Sequence, residues 1–161
     1  MVILGIDPGI ATVGFGVIAA ANGRFGAIEY GAIITKPHQL LETRLCEIHD
    51  AVTELIRRHK PDCMAIEELF FNVNVKTAVD VCHGRGVILL AAAKQRLDIY
   101  EYTPLQIKQS VVGYGRAEKQ QVMYMTRLLL GLDEVPKPDD TADALACAIC
   151  HANHKMHNYG R

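Results

Sequence analysis

The sequence predicts a mixed α/β domain: a five-stranded sheet, made of a three-strand antiparallel meander plus two parallel strands, flanked by helices. Three observations predict it. Apolar runs at residues 2–7, 14–20 and 27–34 are separated by Gly-containing turns, the pattern of a meander. Two later runs, residues 63–67 and 98–102, each follow a long segment of helical character, the crossover that parallel strands need. Half of the 161 residues are apolar, enough for one well-packed core.

The elements follow in order. The first strand ends at Pro8-Gly9. Leu41, Leu45, Ile48, Val52, Leu55 and Ile56 recur at helical spacing across residues 39–59, and Pro61 stops that pattern. Residues 75–95 read as a mostly apolar helix whose Gly84 and Gly86 would admit another helix. Thr103-Pro104-Leu105-Gln106 combines a Thr N-cap, Pro at the first helical position and Gln at N3, which predicts a helix over 104–112. Gly113 and Gly115 break it. A helix over 117–130 carries Val122, Met125 and Leu129 on one side and stops at Gly131. Pro136 and Pro138 punctuate a loop before a last helix over 140–153. The expectation is one domain over 1–153 with a polar, frayed tail over 154–161.

Net charge is −1, but its sign changes along the chain. Residues 37–75 carry four Lys or Arg against seven Asp or Glu, whereas residues 76–119 carry seven against four. That second segment, locally +3, suits either a phosphate backbone or an ordinary solvated face. Cysteines at 46, 63, 82, 147 and 150 are odd in number with mostly apolar neighbours, a poor disulfide framework that fits a reducing compartment. No basic, apolar leader opens the chain, and no apolar run approaches the ~20 residues of a membrane span. The expected location is therefore the cytoplasm, with no membrane partner.

Four carboxylates carry the chemistry. Asp7 follows the first strand in Ile-Asp-Pro-Gly, Glu67 ends the fourth, and Asp140 and Asp143 lie three apart at the start of the last helix, on one face. Acids converging from three elements repel unless a cation neutralises them, so divalent metal chemistry is the first reading. Each has a plainer explanation. An Asp before Pro opens a turn, and acids in a helix's first turn favour its dipole. Glu68 competes with Glu67, although strand alternation that places Ala65 inward selects Glu67. Asp139 competes with Asp140. Ala142, Ala144, Ala146 and Ala148 would let the last helix pack close to the sheet.

Six motifs in order, from Ile3-Leu4-Gly5-Ile6-Asp7-Pro8-Gly9 through Ala65-Ile66-Glu67-Glu68-Leu69-Phe70, Gly84-Arg85-Gly86-Val87, Ile107-Lys108-Gln109-Ser110-Val111-Val112-Gly113 and Ala117-Glu118-Lys119-Gln120-Gln121-Val122 to Asp140-Thr141-Ala142-Asp143-Ala144-Leu145-Ala146, span about residues 2–153. Together they resemble the RuvC family of Holliday-junction resolvases, within the RNase H-like nuclease superfamily. Gly84 stands where the family pattern has Ala, and the His-rich end from His151 has no clear counterpart.

The resemblance implies an RNase H-like fold in which Asp7, Glu67, Asp140 and Asp143 ligate two Mg²⁺ ions, with Mn²⁺ as a substitute. It implies that Lys108 and Lys119 approach the DNA phosphates near the cut, Lys119 as part of the catalytic set, and that Phe70 stacks on an unpaired base. Arg116 and Lys76 are further candidates for backbone contact. The implied activity is resolution of four-way junction DNA by paired symmetric nicks, in recombination and repair. The resemblance also implies a homodimer joined around residues 79–90, RuvA and RuvB branch-migration proteins as partners, a thymine-rich cutting sequence and association with the nucleoid.

Other classes remain open from sequence alone. A non-catalytic junction or nucleic-acid-binding module could share the fold. Actin-like sugar kinases use a similar strand and glycine hairpin, but with a second large domain that 161 residues do not predict. Cys147-Ala148-Ile149-Cys150-His151 spells a haem-attachment pattern, and with His154 offers a zinc set. The expectation there is small core cysteines and solvated histidines.

Overall fold

The computed structural model describes residues 1–69 and 75–159, with no account of the side chains of 75–77 and 156–159. Its elements are β1 (Val2–Asp7), β2 (Thr12–Ala21), β3 (Arg24–Ile34), α1 (Leu41–His59), β4 (Cys63–Glu67), α2 (Val75–Lys94), β5 (Asp98–Tyr102), α3 (Pro104–Val112), α4 (Lys119–Leu130) and α5 (Asp139–Tyr159). The strands lie in the order β3-β2-β1-β4-β5. β1 to β3 form the antiparallel meander, and β1, β4 and β5 run parallel. This is the mixed five-stranded sheet expected.

The central strands are apolar on both faces because helices cover both. Ile3, Cys63 and Ala65 pack with Ile107 and Val111 of α3, Val122 of α4 and the run Leu145 to Cys150 of α5. Leu4, Ile6, Met64 and Ile66 pack on the other face with Ile48, Val52, Leu55 and Ile56 of α1 and with Ile88, Ala91 and Ala92 of α2. Odd-numbered positions of β1 and β4 thus face α5, and even-numbered ones face α1 and α2.

The caps explain where the helices differ from expectation. Thr103 and Gln106 form the predicted capping box, and Gly113 closes α3 at a positive φ of 93°. α4 begins at Lys119 rather than 117, because extended Glu118 is its N-cap and donates its backbone N–H to Gln121 Oε1 at 2.8 Å. α5 starts at Asp139, which places Asp140 inside the first turn, and runs six residues past the expected end at 153. Its later turns are tied down: Asn153 Nδ2 donates to the Ser110 carbonyl at 3.2 Å and Lys155 Nζ to the Tyr100 hydroxyl at 3.2 Å.

Gly84 does admit a close neighbour, but it is the turn after β1: a Cβ there would overlap the Gly9 carbonyl. Gly86 faces open space. All five cysteines are free. Among the described residues, no helix is long and apolar enough to cross a membrane.

Candidate active site

Strand register brings the first two acids together. Gly5 pairs with Ala65 and Ile6 with Ile66 across parallel β1 and β4, so the next step sets Asp7 beside Glu67. Both continue the odd-numbered face, toward α5. Asp7 also pairs with Gly14 of β2. A Cβ at Gly14 would overlap the Asp140 carbonyl, and one at Gly5 would overlap that of Ala144. The absent side chains thus let the first turns of α5 rest on the sheet at the end where Asp7 and Glu67 emerge. Asp7, Glu67, Asp140 and Asp143 become electrostatic neighbours.

Their burial and mutual repulsion favour the protonated forms. Burial, reinforced by the charges of Glu67, Asp143 and Asp140, pushes Asp7 up to about 8. Burial and Asp143 push Glu67 up to about 7, against the opposing charges of Lys119 and Lys108. Burial raises Asp143 as well, although the Lys119 charge and hydrogen bond pull the other way. Without a cation, the folded protein therefore holds protons that the unfolded chain releases, and stability falls as pH rises toward 8. His151, lowered to about 4 by burial first, opposes this slope only below about pH 6.5. In EDTA the melting temperature is expected to drop by roughly 5 °C between pH 6.5 and 8; a flat profile by calorimetry would contradict the charge clustering.

The two lysines stand at the same place. Lys119, the first residue of α4, reaches Asp143 at 3.1 Å and Asp139 at 3.3 Å. Burial lowers its affinity for a proton, but the Asp143 charge and the hydrogen bonds to Asp143 and Asp139 outweigh that and raise it. Glu67, Lys108, Lys119 and Asp143 line one cleft of about 250 Å³, with Pro104, Ile107 and Val122 as its apolar wall. Arg116 is exposed between α3 and α4 and does not line this cleft. Lys76 belongs to α2 by its backbone, with its side chain outside the description. Phe70 and Phe71 lie outside the described residues.

The doublets separate. Glu68 lines a different cleft, of about 360 Å³, with Arg85 and Glu101. Asp139 is exposed and held by Lys119, whereas Asp140 is half-buried and its charge acts on Asp7. The donors are all oxygen, and their mutual repulsion is what a hard divalent cation relieves. Among the described residues, no three Asp, Glu, His or Cys side chains already close on one point.

The cysteine and histidine cluster likewise does not close on one point among the described residues. Cys63, Cys147 and Cys150 are buried, as expected of core residues. Burial pushes the Cys63 and Cys150 thiols up to about 11 and Cys147 well above its ordinary value, so all three stay protonated. His154 is exposed, but His151 is not solvated: it is 1% exposed, with Nδ1 2.8 Å from the Tyr102 hydroxyl and Nε2 3.2 Å from Cys63 Sγ. The sequence pattern marked His151 but not these partners, which lie 49 and 88 residues away.

A family model described as "Crossover junction endodeoxyribonuclease RuvC" matches residues 3–151. A relative of that name from Ruminiclostridium cellulolyticum is 55% identical over 157 residues, covering 97% of this chain and 95% of its own. The structure of Thermus thermophilus RuvC in complex with Holliday junction substrate superposes with a TM-score of 0.93 at 37% identity, covering 98% of this chain and 96% of that one. The yeast mitochondrial Holliday junction resolvase shares the fold, with a TM-score of 0.65 at 13% identity over 98% of this chain and 82% of that one.

Proposed function

Because the chain belongs to the RuvC family of crossover junction endodeoxyribonucleases, we propose that it resolves four-way DNA junctions by paired symmetric nicks, in recombination and repair. The observation that carries the reading is the convergence of Asp7, Glu67, Asp140 and Asp143 from β1, β4 and α5 on one end of the sheet, with Lys108 and Lys119 beside them.

In this reading Asp7, Glu67, Asp140 and Asp143 would hold two Mg²⁺ ions, with Mn²⁺ as a substitute, and the ions would supply Lewis-acid activation of water and counter-charge to the leaving group. The carboxylates give up the protons that burial and mutual repulsion otherwise retain on Asp7 and Glu67. Lys119 exchanges part of its pairing with Asp139 and Asp143 for the scissile phosphate, where a point charge steadies developing negative charge. Lys108, which lines the same cleft, adds a second positive charge for the phosphate, and Arg116 and Lys76 hold the flanking backbone. Phe70, three residues after Glu67 in the sequence, stacks on an unpaired base at the crossover.

Two symmetric cuts need two equivalent sites, which a C₂ homodimer supplies. The face of α2 suits that contact: Val79 and Leu90 are half-exposed, at 51% and 53%, and Gly86 leaves open space between them. RuvA and RuvB as partners, and a cytoplasmic, nucleoid-associated location, belong to the same reading.

The neighbouring acids provide an internal control. Glu67→Gln and Asp140→Asn are expected to lower nicking by about a hundredfold or more, and Glu68→Gln and Asp139→Asn by less than about fivefold. Equal losses within either doublet would show that the metal-facing residue is misassigned. The function itself is tested on a mobile four-way junction with Mg²⁺. Paired nicks abolished by EDTA are expected, and tight junction binding without nicks would identify a binding module instead.

A further inference from the structure

His151 lies outside the carboxylate cleft and is a fully buried polar side chain on the helix that carries Asp140 and Asp143. The first turns of α5 rest on a smooth floor. Asp140 and Ala144 pack on Gly14 and Gly5, and Leu145 packs on Gly16. Such close contact sets how near α5 lies to the sheet. Directional hydrogen bonds between helix and strands add to its axial setting.

His151 supplies two of them, to two different strands. Its Nδ1 is 2.8 Å from the hydroxyl of Tyr102 on β5, and its Nε2 is 3.2 Å from Sγ of Cys63 on β4. One neutral ring has one N–H and one bare nitrogen, so with two protonated partners it donates to one and accepts from the other. Tyr102 is also the residue paired with Glu67 in the β4–β5 ladder, and its carbonyl accepts from the Glu68 N–H at 2.9 Å. The strand segment that sets Glu67 is therefore the segment His151 grips. Asp143 lies eight residues away on the same helix, about 12 Å along a rigid rod.

We propose that His151 is a positioning residue for the carboxylate site: by bonding Tyr102 and Cys63 at once, it fixes the axial setting of α5 and so the separation of Asp140 and Asp143 from Asp7 and Glu67. The role rests on the metal-dependent reading above, and it adds a residue that touches neither metal nor DNA. A neutral His151 is the state the network needs, and its depressed titration keeps it neutral at working pH. Tyr100, whose ring centroid is 4.4 Å from that of His151, covers the network from β5.

The test reads metal affinity rather than turnover. Mn²⁺ binding is measured by electron paramagnetic resonance for wild type, His151→Phe, Tyr102→Phe and the double variant, with Val52→Ala as a destabilised control from the opposite core layer. His151→Phe and Tyr102→Phe are each expected to weaken Mn²⁺ binding about tenfold. The double variant should be no weaker than His151→Phe, because both remove the same link. Junction affinity in EDTA should stay within about twofold, and Val52→Ala should bind Mn²⁺ as wild type does. Tyr102→Phe removes only an oxygen, so it serves even if His151→Phe fails to fold. Wild-type affinity in both variants, or an equal loss in Val52→Ala, would overturn the positioning role alone. Absence of Mn²⁺ binding by the wild type would overturn the metal reading and this role with it.

Discussion

Asp7→Asn is expected to lower junction nicking by about three orders of magnitude or more while leaving junction affinity in EDTA within about twofold. Asp7 is the acid on which the others act: burial and the charges of Glu67, Asp143 and Asp140 together push it up to about 8. A cation that relieves this repulsion gains most from the ionised Asp7, and Asn offers the same shape without the charge. The substitution also removes a buried carboxyl that costs stability at neutral pH in the absence of metal. In EDTA at pH 8, Asp7→Asn should therefore melt higher than wild type, by roughly 5 °C, although it is inactive. A variant that nicks at more than about a tenth of the wild-type rate, or one that melts lower in EDTA, would remove Asp7 from the centre of the site.

Gly14→Ala should be the most damaging single methyl group near the site. Its Cβ would overlap the backbone carbonyl of Asp140, and a helix backbone cannot rotate aside as a flexible side chain does. The first turn of α5 must lift from β2, carrying Asp140 and Asp143 away from Asp7. A loss of about 2 to 4 kcal/mol in stability is expected, together with at least about a hundredfold loss of nicking, because misplacement by about 1 Å is enough for that. Gly26→Ala, also in the meander but facing open space, should change either quantity little. Similar melting temperatures for the two variants by calorimetry would show that α5 is not seated as described.

Local signals placed most of the fold. The bounds of β1, β4, β5 and α3 follow from short apolar runs and the Thr103–Gln106 cap, features complete within a few residues. Strand alternation was enough to prefer Glu67, because period two leaves only two faces. It could not separate Asp139 from Asp140, since a helix's first turn faces several ways until its packing is known; the close seat at Gly14 decides which faces Asp7. The later turns of α5 looked like a frayed polar tail for a related reason. The group that holds Lys155 there, the Tyr100 hydroxyl, comes from β5. His151 read as solvated because its partners Tyr102 and Cys63 lie far off in the chain.

Four carboxylates from β1, β4 and α5 are proposed to form one divalent-metal site. Anomalous diffraction from crystals grown with Mn²⁺ tests it most directly. Two peaks are expected among Asp7, Glu67, Asp140 and Asp143, and Asp7→Asn crystals should lose at least one of them. Peaks at Cys147, Cys150 and His151, or no peak beside Asp7, would contradict it.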